Sequence, residues 1–372
     1  MNINFNIHDG EYKNRLVAIY EKYLSIRVNH ICLLFLSTMV SLFISQVHAS
    51  PWLLPPDKMS VSAKYDYAYA NQEYLATTGD LTPFSLNGEY FANAYTLGTR
   101  IGVRKGFEIQ ISLPFKVVTY ESDPVILSES SDSNANAFDF YQENIINFNQ
   151  STMGLGDLHI APRFQLSTYP IASSLELGFT APTGYTAPAG TFGNRPTSVE
   201  QFIEEAGNLA KPENIQDDVT LGDGVFAFTP MLHVGYGSSI GFFVRWSEGI
   251  RIRNQDAGNL LISEFKLGQF IRPWLLVYGG VYHEYTMTKG RPIGVSVTAI
   301  DASLDASQYQ GLNNLEPILV TLDRDQLVLP AGALFKVSQN VDLTCSYSIV
   351  MWGRNVAKSH VVSVGINILS DH

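Results

Sequence analysis

Apolar and polar residues alternate with a period of two over most of the chain beyond residue 58. Val61, Ala63, Tyr65, Tyr67 and Tyr69 are interleaved with Ser62, Lys64, Asp66 and Ala68. Phe107, Ile109, Ile111, Leu113 and Phe115 alternate with Glu108, Gln110, Ser112, Pro114 and Lys116. The pattern returns in Leu158, Ile160, Pro162, Phe164 and Leu166, and in Val341, Leu343, Cys345, Tyr347, Ile349 and Met351. Such a period puts successive side chains on opposite faces of an extended strand. It predicts twelve strands, over 59–70, 90–104, 107–118, 154–167, 171–183, 221–236, 240–253, 259–270, 273–286, 326–338, 340–353 and 358–369.

The segments between these strands alternate in length. Lys105-Gly106, Tyr169-Pro170, Gly237-Ser238-Ser239, Ile271-Arg272 and Gln339 are tight turns. At the other strand ends lie long polar stretches, 71–89, 119–153, 184–220 and 287–325, with short links at 254–258 and 354–355. A soluble β-sandwich gives no reason for this alternation, and its strands rarely reach this length. A transmembrane barrel does, with short periplasmic turns, long external loops and an even strand count. In hydrocarbon every backbone N–H and C=O must be paired within the protein, so a spanning sheet closes on itself. The predicted fold is all-β, an antiparallel up-and-down transmembrane barrel of about twelve strands filling 59–372. Trp246 and Trp352 then fall near outer strand ends, and Phe107, Tyr236 and Trp274 near inner ones, where aromatic girdles sit.

Composition narrows the class. The 372 residues are 45% hydrophobic and 12% aromatic but only 16% charged, against about 25% charged in an ordinary soluble domain. Beyond residue 49 no run of 18 apolar residues occurs, so the remaining chain is predicted to hold no membrane helix. The net charge of -11 offers no basic surface for nucleic acid. Ile31 to Ala49 is an apolar stretch ending in Val47-His48-Ala49, with Lys13, Arg15, Lys22 and Arg27 upstream. This predicts a signal peptide over 1–49, cut after Ala49, then a short periplasmic segment at 50–58. Ser37, Thr38, Ser41, Ser45, Gln46 and His48 thin the apolar run below what an uncleaved anchor needs. Cleavage removes Cys32, four basic and three acidic residues, leaving 20 basic and 32 acidic side chains, net -12. It leaves Cys345 without an intramolecular partner, and no zinc or redox motif is present. The expected location is the bacterial outer membrane. The expected partners are the barrel assembly machinery, outer-membrane lipid with lipopolysaccharide, and a small solute.

Turning the polar strand faces inward assigns eight basic positions to the lumen: Lys64, Arg100, Arg104, Lys116, Arg163, Arg245, Lys266 and Lys336. Seven are acidic: Asp66, Glu108, Asp157, Glu176, Glu264, Glu284 and Asp342. A strongly ion-selective pore would carry one sign in excess. Near balance predicts cross-strand ion pairs that brace the wall and leave a narrow path. The surplus acid falls in the loops at no calcium-loop spacing, and no metal or cofactor site is expected. In the third long loop, Ser198 to Lys211 places Val199, Phe202, Ile203, Ala206 and Leu209 on one helical face. Ser198 stands at the N-cap position with Gln201 three residues on. Such a helix would lie over the barrel mouth as a lid through Phe202, Ile203 and Leu209, or rest on the rim. His159 and His233 point inward and His283-Glu284 lies near an outer strand end, but no Gly-x-Ser-x-Gly, His-Glu-x-x-His or phosphate loop occurs. No enzyme is predicted.

Three short motifs look familiar. Gly154-Leu155-Gly156-Asp157 opens a strand running to Arg163-Phe164-Gln165-Leu166, Ala181-Pro182-Thr183-Gly184 ends the next, and Leu221-Gly222-Asp223-Gly224 opens another. Over 150–370 this series resembles the outer-membrane barrel family described as transporters of the phenol meta-degradation pathway. It resembles, more distantly, barrels for hydrophobic compounds and long-chain fatty acids. The resemblance implies passage of small, often hydrophobic molecules. The chain departs at its end, where Leu369 is followed by Ser370, Asp371 and His372 instead of a terminal aromatic residue. The expected function is an outer-membrane channel or transporter for a small hydrophobic or weakly polar solute. A non-transport surface barrel for adhesion or envelope integrity is the alternative, and an outer-membrane hydrolase the third.

Overall fold

The structure is a computed structural model and describes residues 51–75, 78–123, 125–126, 145–146, 149–185, 187–189, 198–201, 220–255, 257–299 and 315–371. Residues 1–49, and with them the expected leader, lie outside the described residues.

The core is one closed antiparallel sheet. Its strands are β1 (Lys58–Ala70), β2 (Glu89–Arg104), β3 (Phe107–Glu121), β4 (Gln150–Leu155 and Leu158–Ser167), β5 (Ala172–Ala181) and β6 (Ala227–Gly237). They continue as β7 (Phe242–Arg253), β8 (Leu260–Arg272), β9 (Leu275–Thr286), β10 (Asp325–Lys336), β11 (Val341–Arg354) and β12 (His360–Asp371). Thirteen paired segments form twelve crossings, because β4 is broken in two. Each strand pairs with its neighbours in sequence, and β12 returns to β1, from Lys58 opposite Asp371 to Tyr69 opposite His360. Closure pairs every strand on both sides except the upper segment of β4, Gln150–Leu155, which is held by β3 alone.

The alternation read from the sequence becomes an inversion of the soluble pattern. Outward positions carry exposed apolar side chains on every side of the barrel, such as Leu97, Met153, Phe179, Leu267, Val277, Phe335 and Val364. Inward charged residues such as Glu108, Arg163 and Glu284 have no exposed surface at all. In water this arrangement is unfavourable on both counts. With hydrocarbon outside it is the favourable one. Phe107, Tyr236 and Trp274 sit at the turn end and Trp352 near the loop end, as expected. Trp246 does not: it lies four residues above the start of β7, in the lower half of the strand, because β7 runs on to Arg253.

Three stretches differ from the sequence reading, each because tertiary contacts compete with the strand ladder. The fourth crossing begins at Gln150, not 154, and breaks at Gly156-Asp157. β3 holds both halves, with Ser112 opposite His159 and Phe115 opposite Leu155, whereas β5 pairs only with the lower half, ending at Ala181 opposite Leu158. The sixth strand starts at Ala227, not 221, because residues 220–225 fold inward and bury Leu221, Asp223 and Val225. The long loops also carry structure. Gln72–Tyr74, Leu81–Pro83 and Val356–Ala357 form a small sheet over the loop end, and Pro292–Ala299 pairs with Leu315–Thr321 in a hairpin.

Candidate functional site

The lumen is built from two charge networks, and both follow from strand register. Glu108 of β3, Arg163 of β4 and Glu176 of β5 face one another across adjacent strands. Opposite charges at opposed positions attract, which favours this alternation of sign. Arg163 Nη1 donates to Glu108 Oε1 at 2.6 Å, and its Nε lies 3.3 Å from Glu176 Oε2. Arg100 forks onto the same Glu108 at 2.9 and 3.1 Å. The chain continues through His233, whose Nε2 is 3.2 Å from Glu176 and whose Nδ1 is 2.9 Å from Ser247 Oγ. One step round the wall, Glu264 takes Arg245 at 2.5 Å and Lys266 at 2.6 Å. Lys64 pairs with Asp66 at 2.9 Å on β1. Buried charges of this kind are tolerated only when paired and hydrogen-bonded.

The second network closes the loop end. Glu284 of β9 accepts from Arg324 at 2.8 Å, Gln326 at 2.7 Å, Tyr282 at 2.6 Å and Arg251 at 3.3 Å. Asp223, on the loop that folds inward, meets Arg253 at 3.2 Å and Arg324 at 3.3 Å. Burial pushes the Asp223 carboxyl up, but Arg324 and Arg253 outweigh it and hold the group below the usual carboxylate range. Arg354 joins Asp325 at 2.7 Å and Asp323 at 3.3 Å. Lys116 donates to the Leu221 carbonyl at 2.7 Å, and Tyr185 bonds Asp157, pinning the loop against the break in β4. Apolar residues seal the rest: Phe84 and Leu86 of the first loop are buried, with Phe84 edge-on to Tyr120, while Tyr74 packs with Val328, Val350 and Val356.

At the turn end the segment before β1 enters the lumen. The Leu54 amide donates to Glu108 Oε2 at 2.7 Å and Arg100 donates to the Trp52 carbonyl at 3.2 Å. Gln165 donates to the Pro51 carbonyl at 2.9 Å, and the Asp57 amide to the Gly102 carbonyl at 3.2 Å. The strap needs glycines to lie flat. A Cβ on Gly102 would run into the Pro55 carbonyl, and one on Gly235 would come within 2.6 Å of the Pro51 ring.

The two sides of the lumen differ. Inward side chains on β3 and on β5 to β8 are mostly buried, filling their side with charge pairs, while His159 and Gln165 of β4 keep partial exposure. On β9 to β12 the inward row mixes large side chains, Tyr278 and Tyr282 among them, with small ones, and Gly280, Gly332, Ser346, Ser348, Ser363 and Gly365 keep partial exposure far from either rim. Exposure of inward residues is therefore uneven and is most continuous along the β9–β12 wall.

The structure brings Lys64, Asp66, Arg100, Glu108, Lys116, Arg163, Glu176, Arg245, Glu264 and Lys266 into the lumen among these contacts. Arg104 is the exception: it is exposed at the rim, its guanidinium 5.7 Å from the Phe107 ring, because a bulge after Gly102 turns it out of the inward row. Lys336 is exposed at the turn end over Phe270, opposite a half-buried Asp342. Asp157 bonds Tyr185 and lies within electrostatic reach of Lys116 on β3. The Gln201 amide donates to Ser198 Oγ at 3.2 Å, but Phe202, Ile203 and Leu209 lie outside the described residues. Period-two reading missed Asp223, Asp323 and Arg324, which come from loops. It also missed Arg251 and Arg253, inward positions at the end of β7 whose only signal was strand parity.

The chain thus has the fold of a transmembrane β-barrel of twelve strands. It is similar to the COG4313 outer membrane channel from Pseudomonas putida F1 at 11% identity, TM-score 0.54, covering 87% of this chain and 98% of that one. It also matches the transport unit of the autotransporter AIDA-I from Escherichia coli, at 7% identity and TM-score 0.44, over 88% and 94% of the two chains. The TodX monoaromatic hydrocarbon channel, in a deletion mutant, matches at 10% identity and TM-score 0.40, over 88% and 94%. The sequence matches no protein-family profile and no curated protein.

Proposed function

We propose that the protein is a narrow outer-membrane channel for a small hydrophobic or weakly polar solute. The observation that carries this reading is the β9–β12 wall, where exposure of inward residues is most continuous in a barrel otherwise filled by paired charges. Its lining of glycine, serine and tyrosine places no excess of one charge sign on the path, so it suits weakly polar molecules better than ions. The likeness to an outer membrane channel supports the location and the class. A hydrophobic solute, as in the family that the 150–370 motifs resemble, is the finer expectation. Lipid, lipopolysaccharide and the assembly machinery are the partners that such a location entails. The arrangement at the two ends makes the channel a gated one, with the strap at 51–57 on the periplasmic side and the inward loop at 220–225 outside.

The test is single-channel conductance of residues 50–372 refolded in planar bilayers. Small reproducible steps with weak ion selectivity are expected. Ser363→Trp, which fills the path, should lower conductance several-fold, while Val362→Trp, which faces lipid, should not. Binding of the hydrophobic fluorophore N-phenylnaphthylamine to the barrel should fall in the same variant. A folded, heat-modifiable barrel that is silent and insensitive to Ser363→Trp overturns the channel reading in favour of a closed surface barrel.

A further inference from the structure

Most outward positions of the barrel are apolar, and the outward Asn93 and His360 are hydrogen-bonded to Tyr65 and Tyr347 on neighbouring strands. A further polar row lies near the loop end of β7 to β9. Glu248, Ser263 and His283 occupy directly opposed positions on these strands, Glu248 opposite Ser263 and Ser263 opposite His283. Ser263 Oγ donates to Glu248 Oε2 at 2.9 Å. All three are half-buried among Trp246, Ile250, Phe265, Val281 and Tyr285, which point the same way. Two outward positions further toward the turn end, past Val281 and Leu329, the outward side chains shrink. Gly279 stands opposite Ala331 with no atom nearer than 3.9 Å to a Cβ placed on it, and Ala333 follows two residues on.

A carboxylate and an imidazole facing hydrocarbon are costly, and residues of this kind are found where something other than lipid covers them. Polar side chains together with small residues on one lipid-facing surface are the features through which membrane segments associate. The row is also self-complementary. A two-fold axis along the membrane normal, passing by Ser263, reverses the order of the row on the facing copy. Glu248 is then brought toward the partner's His283, His283 toward the partner's Glu248, and the two serines meet. This is the reciprocal contact of an isologous dimer.

We propose that the β7–β9 face is a dimer interface between two copies of this barrel, held by reciprocal Glu248–His283 hydrogen bonds within an apolar surround. The imidazole N–H donates and the carboxylate accepts, so each copy satisfies the polar group that the other exposes. Conduction through the lumen is a separate matter, and either reading can fail without the other.

The experiment uses the full chain in Gram-negative outer membranes. Cys345 is free and faces lipid, so it is first replaced by Ser. In that background Ser263→Cys, oxidised with copper phenanthroline, should give a reducible dimer band. Val61→Cys, exposed on β1 five strands away, should stay monomeric. Equal cross-linking at both sites, or none at Ser263→Cys in a barrel that keeps its heat-modifiable migration, overturns the proposal. In mild detergent, Glu248→His and His283→Glu should each weaken dimerisation about tenfold, on the order of 1.4 kcal/mol. Combining them should restore it, since the exchange leaves the reciprocal pairs intact. A double variant no tighter than the singles overturns the pairing.

Discussion

At the residue scale, Arg163 shows how strand parity becomes chemistry. It has no exposed surface and answers two carboxylates on two neighbouring strands. Arg163→Met keeps the volume but leaves Glu108 and Glu176 short of their shared cation in a closed space. The expected loss is about 3–5 kcal/mol, the cost typical of breaking a buried pair from one side. The temperature at which the barrel loses its folded gel mobility should fall accordingly. Gly102 makes a different point, since it is a glycine because the strap crosses it. Gly102→Val should expel residues 51–57 while leaving the barrel closed. The readouts are protease cleavage within that segment and a larger single-channel conductance.

Residues were legible from the sequence where they lie within a strand. Parity put Glu108, Arg163, Glu176, Arg245, Glu264 and Lys266 on one face, and there they pair. It failed at Arg104, where a bulge shifts the register, since a single extra residue reverses the facing of every later position in the strand.

At the scale of elements, the loop end is closed by segments that carry no period of their own. The inward loop at 220–225 is fastened by Asp223 to Arg253 and Arg324. Asp223 is held below its ordinary range, so it strengthens the closure fully above the usual carboxylate value of about 4. That contribution is lost as pH falls through the depressed value. Conductance should therefore stay low at pH 5 and rise only under more strongly acidic conditions. Asp223→Asn should conduct as the acidified protein does, already at neutral pH. A rise in wild-type conductance centred near pH 6 would contradict this assignment. The break in β4 belongs to the same scale. Gly154, Gly156 and Gly222 were visible as a glycine series, but not the reason for them, which is the close approach of Leu221 and Tyr185 to the wall.

At the scale of the whole molecule, closure of the sheet and inversion of its faces define a barrel in lipid, and the proposed path follows the less completely buried β9–β12 wall. The polar row on β7–β9 gives that barrel a preferred neighbour, which the cross-linking and charge-exchange experiments test. The sequence alone determined a barrel of about twelve strands, the alternation of turns and loops, the apolar exterior and the balanced interior. These depend on a local repeat and on the rule that no backbone group is left unpaired in hydrocarbon. Only the tertiary structure decided which charges meet, where inward side chains stay partly exposed and which segments fold back into the lumen. Those contacts join residues far apart in the chain, such as Leu54 with Glu108 and Asp223 with Arg324, and no local period records them.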